Sequence, residues 1–259
     1  MNRKQILDDY YKNDDEDSRL IKDKAHSIEF ITTTKYIDKY LKPDSKILEV
    51  GAATGRYSLY YAEKGYDVTA IDYVEHNIDI LKSKITDNMN IKAFQGDALN
   101  LSIIEDNTYD ITLVLGPLYH LYNNADINKC ISEVIRVTKP GGIIMLAYIT
   151  NDAVFVHWGI EHLVDGYHNH FDDTFKLKRS EEEIFAPIYV DEFLDIMKNY
   201  NVEKLHNITT DGLAQILEDK INNLSDEEFD IWLKYHFSTC EREDLIGYGC
   251  HILYIGKKK

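Results

Sequence analysis

A glycine-containing turn is the first feature of the sequence that could bind a ligand. It reads Gly51-Ala52-Ala53-Thr54-Gly55 and follows the apolar run from Lys46 to Val50. Glycine lets the backbone come close to a ligand, and the amide groups at the start of a following helix can donate hydrogen bonds to it. The turn is not a strict GxGxxG motif. On this loop alone, a nicotinamide site and a purely structural turn both remain open.

Two carboxylates follow at places where a nucleoside could be held. Asp72 ends the next β-type run, where a carboxylate can accept both hydroxyls of a ribose. Asp97, in the sequence Gln95-Gly96-Asp97-Ala98, follows the third such run and is placed to receive an exocyclic amine such as that of adenine. Ligands of open α/β sheets bind at the carboxyl ends of the strands, so these residues are expected to share one site.

The elements that position these residues alternate between two periodicities. Strands are predicted at residues 46–50, 66–71, 91–95, 109–115 and 142–150. Helices are predicted after residue 55, at 74–85 and around 127–135, the last of them stopped by Lys139-Pro140-Gly141-Gly142. Strands that alternate with helices indicate an α/β fold with a doubly wound, mostly parallel sheet.

Other segments lie outside this repeat. Residues 1–42 are predicted to be helical, with Phe30, Thr34, Ile37 and Leu41 on one face, and could fold over the first strand. Residues 151–180 are rich in histidine and aromatic residues, and 212–240 suggest two helices, the second opened by a capping box from Ser225 to Glu228. A helix near 191–200 and strands near 202–208 and 251–255 complete the prediction.

Composition narrows the function. The 259 residues carry a formal charge of −16, which opposes binding to a phosphate backbone, and the only basic run, Lys257 to Lys259, is predicted to be a solvated tail. The three cysteines have neither disulfide-framework nor CxxC spacing, which favours reduced thiols. No apolar stretch is long enough for a signal peptide or membrane span. A soluble cytoplasmic protein without a nucleic-acid or membrane partner is expected.

The segments ILEVGAATGRYSL, AIDYVEHN, QGDAL, YDITLVLGPLYHL and VTKPGG together resemble the class I S-adenosylmethionine-dependent methyltransferases. The resemblance covers residues 44 to about 150. It implies a seven-stranded sheet whose last strand is antiparallel. It also implies an amino-terminal helical lid at 1–43 and a methyltransferase domain at 44–259, with cap insertions at about 151–185 and 212–245.

The resemblance also assigns the cofactor, S-adenosylmethionine, to particular residues. The glycine turn would line the methionine part, although Ala53 replaces the family's usual middle glycine. Asp72 would hold the ribose, Asp97 and Ala98 the adenine, and the Leu115 carbonyl the amino group. Lid residues would add further contacts. The complete predicted cofactor set is Tyr11, Arg19, Glu49, Gly51, Ala52, Ala53, Gly55, Asp72, Tyr73, Asp97, Ala98 and Leu115.

The acceptor is predicted to be a small molecule. Family members that methylate an adenine amine or a glutamine amide carry an Asn/Asp-Pro-Pro-aromatic motif after the fourth strand, whereas this chain has Gly116-Pro117-Leu118-Tyr119. In-line methyl displacement needs a base only if the acceptor is protonated, and Tyr119 and His120 are the candidates for it. The predicted substrate pocket comprises Tyr119, His120, His168, His170 and Tyr189.

Alternatives remain at this stage. The histidines at 157, 162, 168 and 170 invite a metal assignment, but no HExxH motif or cysteine partner accompanies them, so no metal is expected. A nicotinamide-dependent oxidoreductase would share the loop and Asp72 but predicts no role for Asp97. A regulatory protein that binds the cofactor without methyl transfer is the second rival. The sequence leaves open whether the protein is a monomer or a homodimer.

Overall fold

A seven-stranded sheet forms the centre of the molecule. A computed structural model describes residues 3–13, 16–163, 167–178 and 184–259. The strands are β1 (Lys46–Val50), β2 (Asp67–Asp72), β3 (Ile91–Gln95), β4 (Tyr109–Val114), β5 (Thr138–Ile149), β6 (Val202–Thr209) and β7 (His251–Lys258). Their order is β3-β2-β1-β4-β5-β7-β6, and only β7 runs antiparallel to its neighbours β5 and β6. The predicted doubly wound, mostly parallel sheet is confirmed.

Ten α-helices of the described residues flank this sheet. They are α1 (Arg3–Asn13), α2 (Lys24–Asp38), α3 (Arg56–Glu63), α4 (Glu75–Ser83), α5 (Asn124–Val137), α6 (Asn151–His157), α7 (Tyr167–His170), α8 (Val190–Met197), α9 (Glu218–Asn222) and α10 (Asp226–Thr239). Short 3₁₀ turns occur at Pro117–His120, Gly159–His162 and Ile246–Tyr248.

Hydrophobic periodicity explains why these segments fold as they do. The central strands are buried on both faces, and in β5 every residue from Ile143 to Ile149 is buried. In α5 the residues Ile127, Cys130, Ile131 and Val134, spaced for one helix face, are buried against the sheet. Helix α10 begins with the predicted capping box, in which Ser225 and Glu228 exchange hydrogen bonds.

Three local predictions were wrong. Strand β5 begins at Thr138, four residues before its predicted start at Gly142, and its register against β4 shifts between Tyr109 and Ile111. Lys258 belongs to β7, and its Nζ donates to the carbonyls of Ile135 and Thr138 at 2.6 and 2.7 Å, so the basic run is not a free tail. Leu41 lies beyond α2, which ends at Asp38.

Helix α1 and the segment after it pack over the carboxyl ends of β1 and β2. Asp17 fixes this segment to the glycine turn, because it accepts hydrogen bonds from the Thr54 hydroxyl at 2.8 Å and from the Lys84 ammonium. The Arg56 side chain donates to the Asp17 carbonyl at 3.0 Å. No helix within the described part of the chain has the length and hydrophobicity needed to span a bilayer.

Candidate functional site

A cavity of about 720 Å³ lies between the carboxyl ends of the parallel strands and the amino-terminal segment. This volume is within the usual range of small-molecule sites. One end is lined by the glycine turn and by the residues that follow β2 and β3, and the other by the turn after β4, α6 and the start of β7. Residues of α1 and of the segment 16–26 form the roof.

The glycine turn can come close to a ligand for a steric reason. Gly51 has a φ of +78°, and a Cβ at this position would lie 2.3 Å from Cδ of Pro117. No side chain fits there, so the turn presents only backbone at the point where β1 meets the segment after β4. Ala53 also adopts a left-handed conformation, with φ of +46°, although it carries a Cβ. The departure from the usual glycine therefore adds strain to the turn.

Asp72 connects the end of β2 to the glycine turn. Its carboxylate accepts hydrogen bonds from the backbone amides of Ala53 and Val74, both at 2.8 Å, and from the Asn77 amide at 3.3 Å. Burial raises the pKa of Asp72 above its ordinary value, and these three donors oppose that rise. A carboxylate so fixed on the cavity wall is suited to accept hydroxyl hydrogen bonds from a ribose.

The residues after β3 and β4 complete this end of the cavity. Asp97 and Ala98 line it, with Tyr73 and Leu115. Oδ1 of Asp97 accepts from the Leu99 backbone amide at 2.9 Å, and the described residues offer no such donor to Oδ2. Asp97 therefore retains an acceptor for an amine.

Three residues predicted to contact the cofactor do not line the cavity, namely Glu49, Ala52 and Gly55. Glu49 is buried inside the sheet, where it accepts a hydrogen bond from the Ser58 hydroxyl, and burial raises its pKa to about 8. Gly55 caps α3 in a left-handed conformation, and a Cβ there would clash with Leu81. Glu49 and Gly55 therefore pack on the side of the turn that faces away from the cavity.

A contact between Tyr11 of α1 and His120 joins the roof of the cavity to the turn that follows β4. The Tyr11 hydroxyl lies 2.9 Å from Nε2 of His120, and Nδ1 of His120 lies 2.7 Å from the Ile184 carbonyl. A carbonyl only accepts, so Nδ1 carries the proton and Nε2 accepts from Tyr11. Burial lowers the pKa of His120 to about 4, which keeps the ring neutral. Both nitrogens are engaged, so His120 is a poor candidate for a base.

Arg19 lines the cavity from the segment after α1 and belongs to a buried ionic network. Its guanidinium pairs with Glu29 through two bonds, at 2.7 and 3.3 Å, and with Glu16 at 3.1 Å. Burial opposes the charge of Glu29, but Arg19 and His251 outweigh it and lower the pKa of Glu29 to about 2. No local sequence pattern predicted that Glu29 would pair with Arg19.

The acceptor side, which is the end of the cavity lined by the turn after β4, α6 and the start of β7, contains only some of the residues predicted for the substrate pocket. Tyr119 and His120 line the cavity, but His168, His170 and Tyr189 do not. The ring of His170 packs edge-on against Trp158, His168 is exposed, and the Tyr189 hydroxyl donates to the Thr174 carbonyl at 3.4 Å. His168 and His170 belong to the short helix α7, and Tyr189 directly precedes α8. His157 and Trp158 line the cavity instead, and the side chain of His162 lies outside the described residues.

Sequence reasoning missed a second group on this side, formed by His251, Asp211 and His26. His251 Nδ1 lies 2.8 Å from the Asp211 carboxylate, and His26 Nδ1 lies 2.8 Å from Asp23. His26 and His251 line the cavity. A histidine at the start of the last predicted strand was a usable signal, but its aspartate partner is 40 residues away.

Among the described residues, two groups of side chains come close enough to share a metal ion, one at Asp211, Cys250 and His251 and one at Asp23, His26 and Glu218. In each group the histidine Nδ1 is already hydrogen-bonded to the aspartate. Hydrogen bonding therefore accounts for the His–Asp pair in each group.

Comparison with known proteins identifies the central part of the chain. Residues 47–142 match a family model described as a methyltransferase domain. A demethylmenaquinone methyltransferase of Paenarthrobacter aurescens is 33% identical over 114 residues, which are 44% of this chain and 42% of that protein. The matched segment spans less than half the length of the curated relatives compared.

Solved structures extend the similarity to nearly the whole fold. The PH0226 protein from Pyrococcus horikoshii aligns with a TM-score of 0.62 and 17% identity, over 97% of this chain and 99% of that one. A SAM-dependent methyltransferase from Methanosarcina mazei aligns with a TM-score of 0.55 and 17% identity, over 86% of this chain and 96% of that one. At such identities the similarity establishes the fold.

Proposed function

We propose that this chain transfers a methyl group from S-adenosylmethionine to a small-molecule acceptor, and the match of residues 47–142 to a methyltransferase-domain model supports the proposal. The observation that carries the proposal is one continuous cavity. Gly51, Asp72 and Asp97 line one end of it, and Tyr119 and Trp158 line the other. A donor and an acceptor can therefore occupy the same enclosed space.

The residues at the first end suit S-adenosylmethionine. Gly51 leaves a backbone cradle that a Cβ would fill, Asp72 is fixed as an acceptor for ribose hydroxyls, and Asp97 has an acceptor for the adenine amine. When bound, the cofactor supplies a methyl group activated by a positively charged sulfur. The protein has to bind, orient and enclose the acceptor, and such positioning accounts for much of the catalysis in transfers of this kind.

A small acceptor fits better than a macromolecule. The roof formed by α1 and the segment 16–26 covers the cavity, and Asp17 holds this segment against the glycine turn. The formal charge of −16 and the internal use of Lys258 leave little to attract a phosphate backbone. The P. aurescens relative is named for a quinone acceptor, which is consistent with a small molecule here.

Each of the two rivals makes a distinguishing prediction. A nicotinamide-dependent oxidoreductase would bind NAD and would not need the acceptor atom of Asp97. A regulatory protein would bind S-adenosylhomocysteine but would transfer no label. The roof contacts and the charged acceptor side favour an enzyme that encloses a reactant over a sensor, which needs only the cofactor end.

A screen with methyl-labelled S-adenosylmethionine tests the proposal. Purified full-length protein is incubated with a panel of phenols, amines, thiols and carboxylic acids, with transfer RNA and an unrelated protein as macromolecular acceptors. The proposal predicts label on at least one small acceptor. The matched control is Asp72→Ala, in which the labelling should be lost. Label found only on RNA or protein would contradict the proposed acceptor class.

A further inference from the structure

The arrangement of one histidine in the cavity suggests how a protonated acceptor is activated. We propose that His251, positioned by Asp211, is the general base that takes the proton from an acceptor whose nucleophilic atom is a hydroxyl oxygen or an amine nitrogen. This inference rests on the proposed methyl transfer. It assigns a catalytic residue and restricts the acceptor to proton-bearing nucleophiles.

Asp211 fixes the ring of His251 in one orientation. Its carboxylate lies 2.8 Å from Nδ1 of His251 and accepts from the backbone amide of His251 at 3.2 Å. Thr209 donates to the same carboxylate at 3.2 Å, and Asp211 is only 2% exposed. A carboxylate accepts, so the proton of the neutral ring is on Nδ1. The lone pair is then on Nε2, as general-base catalysis requires.

The polar contacts of this ring are concentrated on Nδ1. Besides Asp211, the side-chain amide nitrogen of Gln215 lies 3.3 Å and the Glu29 carboxylate 3.5 Å from Nδ1. With the proton on Nδ1, the Gln215 amide, whose two orientations have the same shape, turns its oxygen to the ring. No described residue makes a hydrogen bond to Nε2, and His251 is part of the cavity wall. Nε2 is therefore the nitrogen that remains for an acceptor molecule.

His251 also lies on the acceptor side of the cavity. Its ring centroid is 5.8 Å from that of Tyr119. Tyr119 belongs to the turn that starts at Pro117, the residue packed on Gly51. A molecule that contacts both Tyr119 and His251 from the cavity would therefore lie next to the cofactor end.

Other titratable groups on this side are less suited to the role. Both nitrogens of His120 are engaged, and burial holds the pKa of the Tyr119 hydroxyl and of the Cys250 thiol well above their ordinary values. His26 is paired with Asp23 in the same manner as His251 with Asp211, but it lies at the start of α2 beside Glu218. His26 is therefore the rival that an experiment must separate.

The surroundings of His251 also stabilise the charge it would acquire. Burial opposes protonation, but the carboxylates of Glu29 and Asp211 outweigh it and raise the pKa of His251 above its ordinary value. Arg19 acts in the opposite direction. The charged and titratable groups that face the ring are Glu29, Asp211, Arg19, Tyr119 and Cys250.

The acceptor atom forms a bond to the methyl carbon while the bond from that carbon to sulfur breaks, and the electron pair of the broken bond stays on sulfur. The proton of the acceptor atom passes to Nε2 of His251. The resulting imidazolium is stabilised by Asp211 and Glu29 and returns its proton to water after the product leaves. No oxidant, reductant or metal is required.

The test compares two kinds of acceptor in the full-length protein with labelled S-adenosylmethionine. Catechol and tyramine carry a proton on the nucleophilic atom, whereas nicotinamide and dimethyl sulfide offer a free lone pair. General-base catalysis contributes roughly 10²- to 10⁴-fold, so His251→Asn should lower kcat for the first pair by about 100-fold or more and change the second pair little. The exposed His76→Asn is the matched control. Equal losses for both pairs, or a selective loss only in His26→Asn, would overturn the proposal.

A second measurement does not depend on turnover. In ¹⁵N-histidine spectra of the protein with S-adenosylhomocysteine, neutral His251 should show the proton on Nδ1 and a pKa above that of a free histidine. Asp211→Asn should lower that pKa. A neutral ring with its proton on Nε2 would overturn the proposal even if no panel member is a substrate. If the protein fails to bind S-adenosylhomocysteine at all, the proposed function fails instead.

Discussion

The hydroxyl of Tyr11 lies 2.9 Å from Nε2 of His120, so one hydrogen bond ties α1 to the turn that follows β4. Tyr11→Phe should leave the buried His120 nitrogen unpaired, at a cost of about 1 kcal/mol. That cost should appear as an approximately fivefold weaker Kd for S-adenosylhomocysteine in a calorimetric titration, because the bond closes the roof over the cavity. Tyr40→Phe, away from the cavity, should have no effect. An unchanged affinity for Tyr11→Phe would show that the bond does not help to close the site.

Asp72 is the residue on which cofactor binding should depend most. Removing the carboxylate in Asp72→Ala should weaken S-adenosylhomocysteine binding by about 1–3 kcal/mol through lost charge-assisted hydrogen bonds. Asp67→Ala, at the opposite end of β2, is the matched control and should bind normally. Circular dichroism of both variants shows whether the fold is retained. Equal affinity of the wild type and a folded Asp72→Ala would mean that the ribose assignment is wrong.

Ala53 occupies a backbone conformation that favours glycine, with a φ of +46°. A residue with a Cβ is destabilised by about 1–2 kcal/mol in the left-handed region, and Ala53→Gly removes this strain. Glycine is also more flexible in the unfolded chain, which offsets about 0.4–1 kcal/mol of the stability gained. Urea denaturation of Ala53→Gly should therefore give a free energy of unfolding equal to or slightly above that of the wild type. Ala52→Gly, at a buried neighbour without positive φ, should lose about 1 kcal/mol through the buried methyl group and the greater unfolded-state freedom of glycine. Similar losses in both variants would refute the strain at Ala53.

Glu49 should make stability depend on pH. Burial raises its pKa to about 8 in the folded state, whereas the unfolded chain has an ordinary value near 4.3. The folded protein then binds more protons between those values, so its free energy of unfolding falls as pH rises from about 5 to 8. Glu49→Gln should flatten that fall. Over this pH range the change in the free energy of unfolding should differ between the variant and the wild type by a few kcal/mol at most. The exposed Glu63→Gln is the control and should keep the wild-type slope. Parallel pH profiles for the wild type and Glu49→Gln would contradict the burial of this charge.

Sequence periodicity was sufficient for the sheet because its signals are local. The run from Ile143 to Ile149 predicts a strand covered on both faces, and the spacing of Ile127 and Val134 predicts one face of α5. The start of β5 was not predictable in this way. A Pro-Gly-Gly sequence signals a break, but pairing with β4 through a register shift keeps these residues in the strand.

The two ends of the cavity differ in how far the sequence could predict them. Asp72 and Asp97 follow strands of a parallel sheet, so the topology alone brings them to one edge. His251 and Asp211 meet because β6 and β7 pair antiparallel, and Glu29 reaches them from α2. The prediction that the substrate pocket includes His168, His170 and Tyr189 could not be checked against a pattern, because no periodicity in 151–189 indicates which way the side chains face.

The choice of cofactor is the central claim and can be measured directly. Isothermal titration of the full-length protein with S-adenosylhomocysteine and, separately, with NAD compares the two adenosine-containing ligands that a glycine turn and Asp72 could bind. We expect micromolar binding of S-adenosylhomocysteine that is about 1–3 kcal/mol weaker in Asp72→Ala, and no binding of NAD. Micromolar binding of NAD without binding of S-adenosylhomocysteine would contradict it.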